Sequence, residues 1–218
     1  MLKQFYEIDM SHIISNWFKK KSWFLFQHQI DVLKISNRGY DVVLNSPTGS
    51  GKTLAGFLPS INNMIISNTQ HLHTIYISPL KSLAYDIEKN LKEPIKEMKL
   101  KISVGTRTGD TSYLNKKKQL ISPPNILVTT IESFTLLMAE KDKSLFKNLK
   151  FVIVDEAHSL INTKRGELLS LNLTRLKIKI KKIQTILLSA TLKEPEDAGN
   201  YFCKKKFKII KQKIIKKI

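Results

Sequence analysis

The stretch "SPTGSGKT", residues 46–53, stands between the apolar run "DVVLN" (41–45) and a segment with helical spacing from Leu54 to Ile66. A strand that turns through a glycine-rich loop into a helix is the setting a phosphate-binding loop requires. Gly49 and Gly51 let backbone N–H groups turn inward around phosphate oxygens, and the helix N-terminus adds its dipole. Lys52 would reach the β- and γ-phosphates of a nucleotide, and the Thr53 hydroxyl would bind Mg²⁺. Ser46, Thr48 and Ser50 fill out the loop, although the strict pattern has glycine where Ser46 stands. The competing reading is an ordinary glycine-rich turn, which the placement between strand and helix disfavours.

Further β-branched runs follow at "TIYIS" (74–78), "KISVG" (101–105), "NILVT" (125–129), "FVIVD" (151–155) and "TILLS" (185–189), with "FKIIK" (207–211) as a seventh candidate. Helical spacing fills most of the gaps, as from Leu80 to Met98. After residue 160, Leu168, Leu169, Leu171, Leu173 and Leu176 are expected on one broad face. Strands alternating with helices predict right-handed crossovers and an α/β fold: a parallel sheet with helices on both faces.

"FVIVDEAHSL" (151–160) puts Asp155 and Glu156 at the carboxyl end of a strand buried on both faces, where parallel sheets place their ligand sites. Alone, the pair reads equally well as a solvated turn. With a phosphate loop about a hundred residues earlier, it reads as the second half of a nucleotide site. Asp155 would hold Mg²⁺, directly or through water, and Glu156 would position and deprotonate the attacking water.

Bulk properties set wider limits. A chain of 218 residues with 42% apolar content can bury a real core. The single cysteine, Cys203, excludes an internal disulfide and a thiolate zinc site. "MLKQFYEIDM" carries no apolar signal region, no run is long enough to span a membrane, and the cytoplasm is the expected compartment. The formal charge of +19 suits a polyanionic partner but does not demonstrate one. Nearly all of it is lysine, with only Arg38, Arg107, Arg165 and Arg175 as arginine, and "KKKFKIIKQKIIKKI" (204–218) supplies eight lysines by itself.

"GKT" (51–53), "DEAH" (155–158) and "LSAT" (188–191), in that order, resemble the first RecA-like motor domain of superfamily-two DEAD/DEAH-box helicases. "WFKKKSWFLFQHQ" (17–29), "RTGDTS" (107–112), "PPNILVTTIES" (123–133) and "RGELLSLNLTRL" (165–176) narrow the likeness to large helicase-related, or Lhr-type, ATP-dependent DNA helicases. The resemblance runs from about Trp17 to about Ile210. It implies a P-loop NTPase fold, with residues 1–39 as N-terminal helices carrying the glutamine motif, 40–210 as the ATP-binding domain and 204–218 as a lysine-rich end.

The resemblance also assigns roles. Gln29 would read adenine, with Gln27 as its rival. His158, Ser189 and Thr191 would couple hydrolysis to domain movement, although a buried structural histidine and helix capping also fit them. Ser78, Pro79, Lys81, Arg107, Thr108, Gly109, Asp110, Thr129, Thr130, Glu132 and Ser133 would form a sequence-independent track for single-stranded nucleic acid. Without the family, Lys81 is ordinary solvated charge, and residues 107–110 fall in a loop after the third strand.

The implied ligands are ATP, Mg²⁺ and single-stranded or partly duplex nucleic acid, with DNA favoured. Two departures stand out. Ile131 replaces the usual proline of the fourth run, which is expected to loosen that loop. The second RecA-like domain and its arginine finger are absent from these residues, so a separate chain would have to complete the motor. The alternative is a truncated, non-catalytic binding module or a gene relic.

Overall fold

A computed structural model describes residues 9–69, 71–140, 144–190, 192–203 and 206–212. The chain enters through α1 (His12–Lys20) and α2 (Gln27–Asn37), and then reaches the first strand, β1 (Asp41–Asn45). Alternation continues through α3 (Lys52–Ser67), β2 (Thr74–Ser78), α4 (Lys81–Glu97), β3 (Val104–Arg107), α5 (Tyr113–Ile121) and β4 (Ile126–Thr130). It ends with α6 (Ile131–Ala139), β5 (Phe151–Val154), α7 (Lys164–Lys179), β6 (Gln184–Ser189), α8 (Pro195–Phe202) and β7 (Phe207–Lys211). The candidate seventh run is therefore a strand.

Among the described residues the strands form one sheet in the order β3-β4-β2-β5-β6-β1-β7, and every neighbouring pair is parallel. Side chains alternate between its faces as the strand period of two requires. Val42 and Leu44 of β1, Tyr76 of β2 and Ile153 of β5 pack with α1, α2, α3 and α4. Val43, Ile75, Ile77, Val152 and Val154 pack on the other face with α6, α7 and α8. This is the doubly covered α/β sheet that the alternation predicts. Its central strands read as unbroken aliphatic runs because neither face meets water.

Three expectations need correction. The third strand is 104–107 rather than 101–105. Asn125 causes the shift: its Oδ1 accepts from the Ser103 N–H and hydroxyl, each at 2.9 Å, so the ladder starts only at the Val104–Ile126 pair. Arg107 consequently ends the strand instead of opening the loop. On α7, Leu169, Leu173 and Leu176 are buried, but Leu168 and Leu171 face solvent at 37% and 57% exposure. Positions i, i+4 and i+7 share a helix face, and the other two lie well off that stripe. Ile131 is not in a loop; it is the first residue of α6, fully buried, behind the Thr130 cap.

Candidate nucleotide site and strand track

The sheet order groups the strand ends into two sets. The carboxyl ends of β1, β6 and β5 adjoin, and those of β2, β4 and β3 adjoin beside them.

The first set carries the phosphate loop. The Ser46 N–H donates to the Ser189 carbonyl at 3.0 Å, fixing the start of the loop to the end of β6. Gly49 and Gly51 hold φ of 74° and 79°, the left-handed region that glycine tolerates without a Cβ clash. At Gly51 a Cβ would also lie 2.8 Å from Gln29 Nε2, so a side chain there would push that amide away from the loop. Gln29 itself is buried at the start of α2, accepting from the Phe26 N–H at 3.0 Å and donating to the Gly51 carbonyl at 3.3 Å. Its rival Gln27 is exposed and bonded to Asp31, so Gln29 is the glutamine that meets the loop. Ser46 is buried, with its hydroxyl against Ser50 Oγ at 2.5 Å and donating to Gln212 Oε1. Thr48 and Gly49 form the exposed tip.

Lys52 begins α3 and donates to the Pro47 carbonyl at 2.8 Å, so its ammonium lies within the loop. Burial lowers its pKa, while Glu156 and Asp155 act in the opposite direction. Lysine and carboxylates therefore share one local field.

Asp155 leaves β5 with its N–H on the Ile77 carbonyl at 3.0 Å. Its Oδ2 accepts from the Tyr76 hydroxyl at 2.5 Å, and its Oδ1 from the Glu156 N–H at 2.9 Å. Burial, and then the negative Asp155, hold the Tyr76 phenol well above its ordinary pKa, so it remains the donor. Glu156 adopts φ 48°, a left-handed kink that ends the strand. His158 Nδ1 lies 3.3 Å from Glu156 Oε2 and 3.1 Å from the fully buried Ser189 Oγ. The histidine thus links the ends of β5 and β6. Thr191 lies outside the described residues, and the chain resumes at Leu192, whose backbone pairs with the Asn45 side chain at 2.9 and 3.3 Å.

Among the described residues no group of three histidine, cysteine or acidic side chains is arranged to hold a metal. Mg²⁺ needs fewer protein ligands, because it keeps several waters and uses one or two carboxylates plus substrate phosphates. The hard oxygens of Thr53 and Asp155 fit that requirement. Asp155 keeps a lone pair on each oxygen beyond the bonds to Tyr76 and Glu156.

The second set holds the expected track, and only part of it faces outward. Lys81 and Asp110 are exposed and paired at 2.7 Å, with Gly109 exposed beside them. Exposed Glu132 receives Arg165 Nε at 2.7 Å, and Arg165 also donates to the Pro79 carbonyl at 2.9 Å. Ser78, Thr108, Thr129, Thr130 and Ser133 are buried. Their hydroxyls serve the scaffold: Ser78 donates to the Leu80 carbonyl, Thr129 to the Arg107 carbonyl, and Thr130 accepts from the Ser133 N–H as the cap of α6. Arg107 turns inward, 5% exposed, and donates to the Lys116 carbonyl at 2.9 Å. The sequence reading missed Arg165 as the tie between Glu132 and Pro79, and missed Tyr76, Asn45 and Gln212 at the nucleotide loop. For Tyr76 a signal existed: a lone hydroxyl-bearing aromatic in an aliphatic strand, on the face that packs against α3.

A family profile described as DEAD/DEAH box helicase matches residues 26–198. The chain belongs to that family. Lhr-type helicases are among its relatives there. It is 37% identical to "ATP-dependent helicase Lhr-Core protein 2" of Thermococcus barophilus, over 91% of this chain and 25% of that protein. It is 41% identical to "ATP-dependent helicase Lhr-Core" of Methanocaldococcus jannaschii, over 87% and 24%. The structure of Mycobacterium smegmatis helicase Lhr bound to ssDNA and AMP-PNP matches with a TM-score of 0.88 at 32% identity, over 94% of this chain and 28% of that one. The chain spans about a quarter of the length of the Lhr-Core relatives it matches. What it comprises is a RecA-like helicase motor domain homologous to Lhr. No described helix is long and apolar enough to cross a membrane.

Proposed function

We propose that residues 40–210 form the ATP- and nucleic-acid-binding first motor domain of an Lhr-type DNA helicase, with 1–39 supplying the glutamine motif. The domain hydrolyses ATP to drive strand movement when a second RecA-like domain completes it, in the same or a separate chain. The observation that carries this reading is the loop at the end of β1, with Gly49 and Gly51 left-handed and the Lys52 ammonium within it, in the same set of strand ends as Asp155 and Glu156 after β5. Loop N–H groups and Lys52 would hold the phosphates, and Gln29, seated against Gly51, would face the base. Thr53 and Asp155 would hold Mg²⁺, which when bound neutralises phosphate charge. Glu156 would take the proton of the attacking water, with His158 holding its carboxylate toward Ser189. DNA as the partner is supported by the ssDNA-bound Mycobacterium smegmatis relative. The contact surface would be the half-buried Pro79 and the exposed rim of Lys81, Gly109, Asp110 and Glu132, with the buried hydroxyls and Arg107 shaping its backbone.

The test is nucleotide binding by residues 1–218, and steady-state ATP hydrolysis once a second RecA-like domain is supplied, with and without single-stranded DNA, beside Lys52→Ala and Glu156→Gln. Hydrolysis that DNA stimulates and both substitutions abolish is the expected result once the second domain is supplied. Nucleotide binding with no turnover in the completed enzyme would make this a binding module. Equal binding by the parent and Lys52→Ala would refute the site.

A further inference from the structure

We propose that Tyr76 is a positioning residue for Asp155, and that its hydroxyl sets the affinity of the site for Mg²⁺. The inference rests on the nucleotide-site reading above and extends it to a residue on a strand that carries no phosphate loop and no acidic box.

Tyr76 sits in the middle of β2, opposite Ile153 of β5, two residues before the carboxylate it reaches. Its ring is fully buried and stacked on Phe57 of α3, with centroids 5.0 Å apart and planes 13° from parallel. That stacking fixes the direction in which the phenol points. The oxygen arrives at Asp155 Oδ2 at 2.5 Å, so the hydroxyl meets one of the two residues proposed to hold the cation.

Asp155 is gripped at two points from different directions. Glu156 N–H holds Oδ1 along the chain, and Tyr76 holds Oδ2 from the neighbouring strand. With only the first bond, the carboxylate is free to rotate about its Cβ–Cγ axis. With both, its plane is fixed before any cation arrives. Donors to ligating carboxylates act in this way generally, and removing one typically costs 10–100-fold in metal affinity. The tyrosine also serves as a link between layers, because Phe57 belongs to the helix that Lys52 opens.

Tyr76→Phe removes one oxygen and keeps the stacked ring, so the fold is retained. The assay is binding of a fluorescent ATP analogue to residues 1–218 at increasing Mg²⁺, and separately in EDTA. The expected result is a roughly 10- to 100-fold rise in the Mg²⁺ concentration for half-maximal binding, with EDTA binding unchanged. In an Asp155→Asn background Tyr76→Phe should have no further effect, an outcome that a purely structural tyrosine would not produce. An unchanged Mg²⁺ midpoint, or a loss that persists in EDTA and in the Asp155→Asn background, overturns the assignment. Lys52→Ala separates the two readings: it should weaken binding with and without Mg²⁺. Should it bind like the parent, the nucleotide site itself is wrong and the role of Tyr76 falls with it.

Discussion

Gly166→Ala sets two effects of opposite sign against each other. Gly166 lies in the first turn of α7, and replacing a helical glycine by alanine ordinarily stabilises by up to about 1 kcal/mol. Here the new Cβ would lie 1.9 Å from the Leu160 carbonyl oxygen and 2.8 Å from its carbon, whereas real Cβ contacts essentially never fall below 3.0 Å. Both atoms are backbone, so no rotamer relieves the overlap, and the start of α7 must move by more than 1 Å. That movement pulls the Gly166 N–H off the Thr163 Oγ1 cap at 3.0 Å, a loss of about 1 kcal/mol. Overpacking adds about 1–3 kcal/mol. The clash wins, leaving a net destabilisation of about 1–3 kcal/mol. At about 2–4 °C per kcal/mol for a chain of this size, the midpoint of thermal unfolding falls measurably. Urea titration followed by circular dichroism gives the free energy directly, and Thr163→Ala isolates the cap at about 1 kcal/mol. Leu160 closes the turn Ala157–Ser159 that carries His158, so ATP turnover in the completed enzyme should fall as well. A Gly166→Ala protein as stable as the parent, or more stable, would refute the reasoning, because helix propensity would then have prevailed.

Two further substitutions probe the scaffold. Lys177 and Asp41 form a buried pair at 2.5 Å, and Lys177 also donates to the Cys203 carbonyl. Lys177→Met strands a buried carboxylate and should cost about 3–5 kcal/mol, most of it recovered by adding Asp41→Asn; a urea midpoint unmoved by the single change would contradict this. His73 is buried between Thr74 and Asn63, and burial followed by the charge of Lys150 lowers its pKa to about 4. The unfolded chain protonates it near 6.5, so stability is complete above that pH and is lost as the pH falls toward 4. The loss amounts to about 3 kcal/mol at roughly 1.4 kcal/mol per unit. Unfolding free energies of His73→Gln should lack that part of the acid slope; an identical slope would place the proton elsewhere.

The strands and the phosphate loop were legible because each is written in consecutive residues: an aliphatic run, a glycine pair, an acidic strand end. What the sequence could not disclose are contacts between residues far apart in the chain. Tyr76 meets Asp155 across 79 positions and Ser46 meets Gln212 across 166; a lone tyrosine in an aliphatic strand signals a hydroxyl in need of a partner, but nothing local names which. Side-chain direction was equally hidden. Arg107 belongs to a stretch that resembles a phosphate contact, yet its guanidinium is drawn inward to the Lys116 carbonyl. Asn125 sits at a strand boundary, where its side-chain amide ties together Ser103, Thr69 and His71, three contacts that lie far from it in the chain.

The last strand has a mechanical consequence. β7 runs parallel to β1, and the residue after it, Gln212, donates its N–H to the Asn45 carbonyl at 3.0 Å and accepts from the Ser46 hydroxyl. A tension applied to the chain beyond Gln212 loads the β7 ladder in shear, where its hydrogen bonds share the force. The same tension reaches Ser46 through one side-chain bond at the mouth of the phosphate loop. One side-chain bond resists less than a ladder that shares the load, so under such a pull the Ser46–Gln212 contact would part first and the sheet would hold.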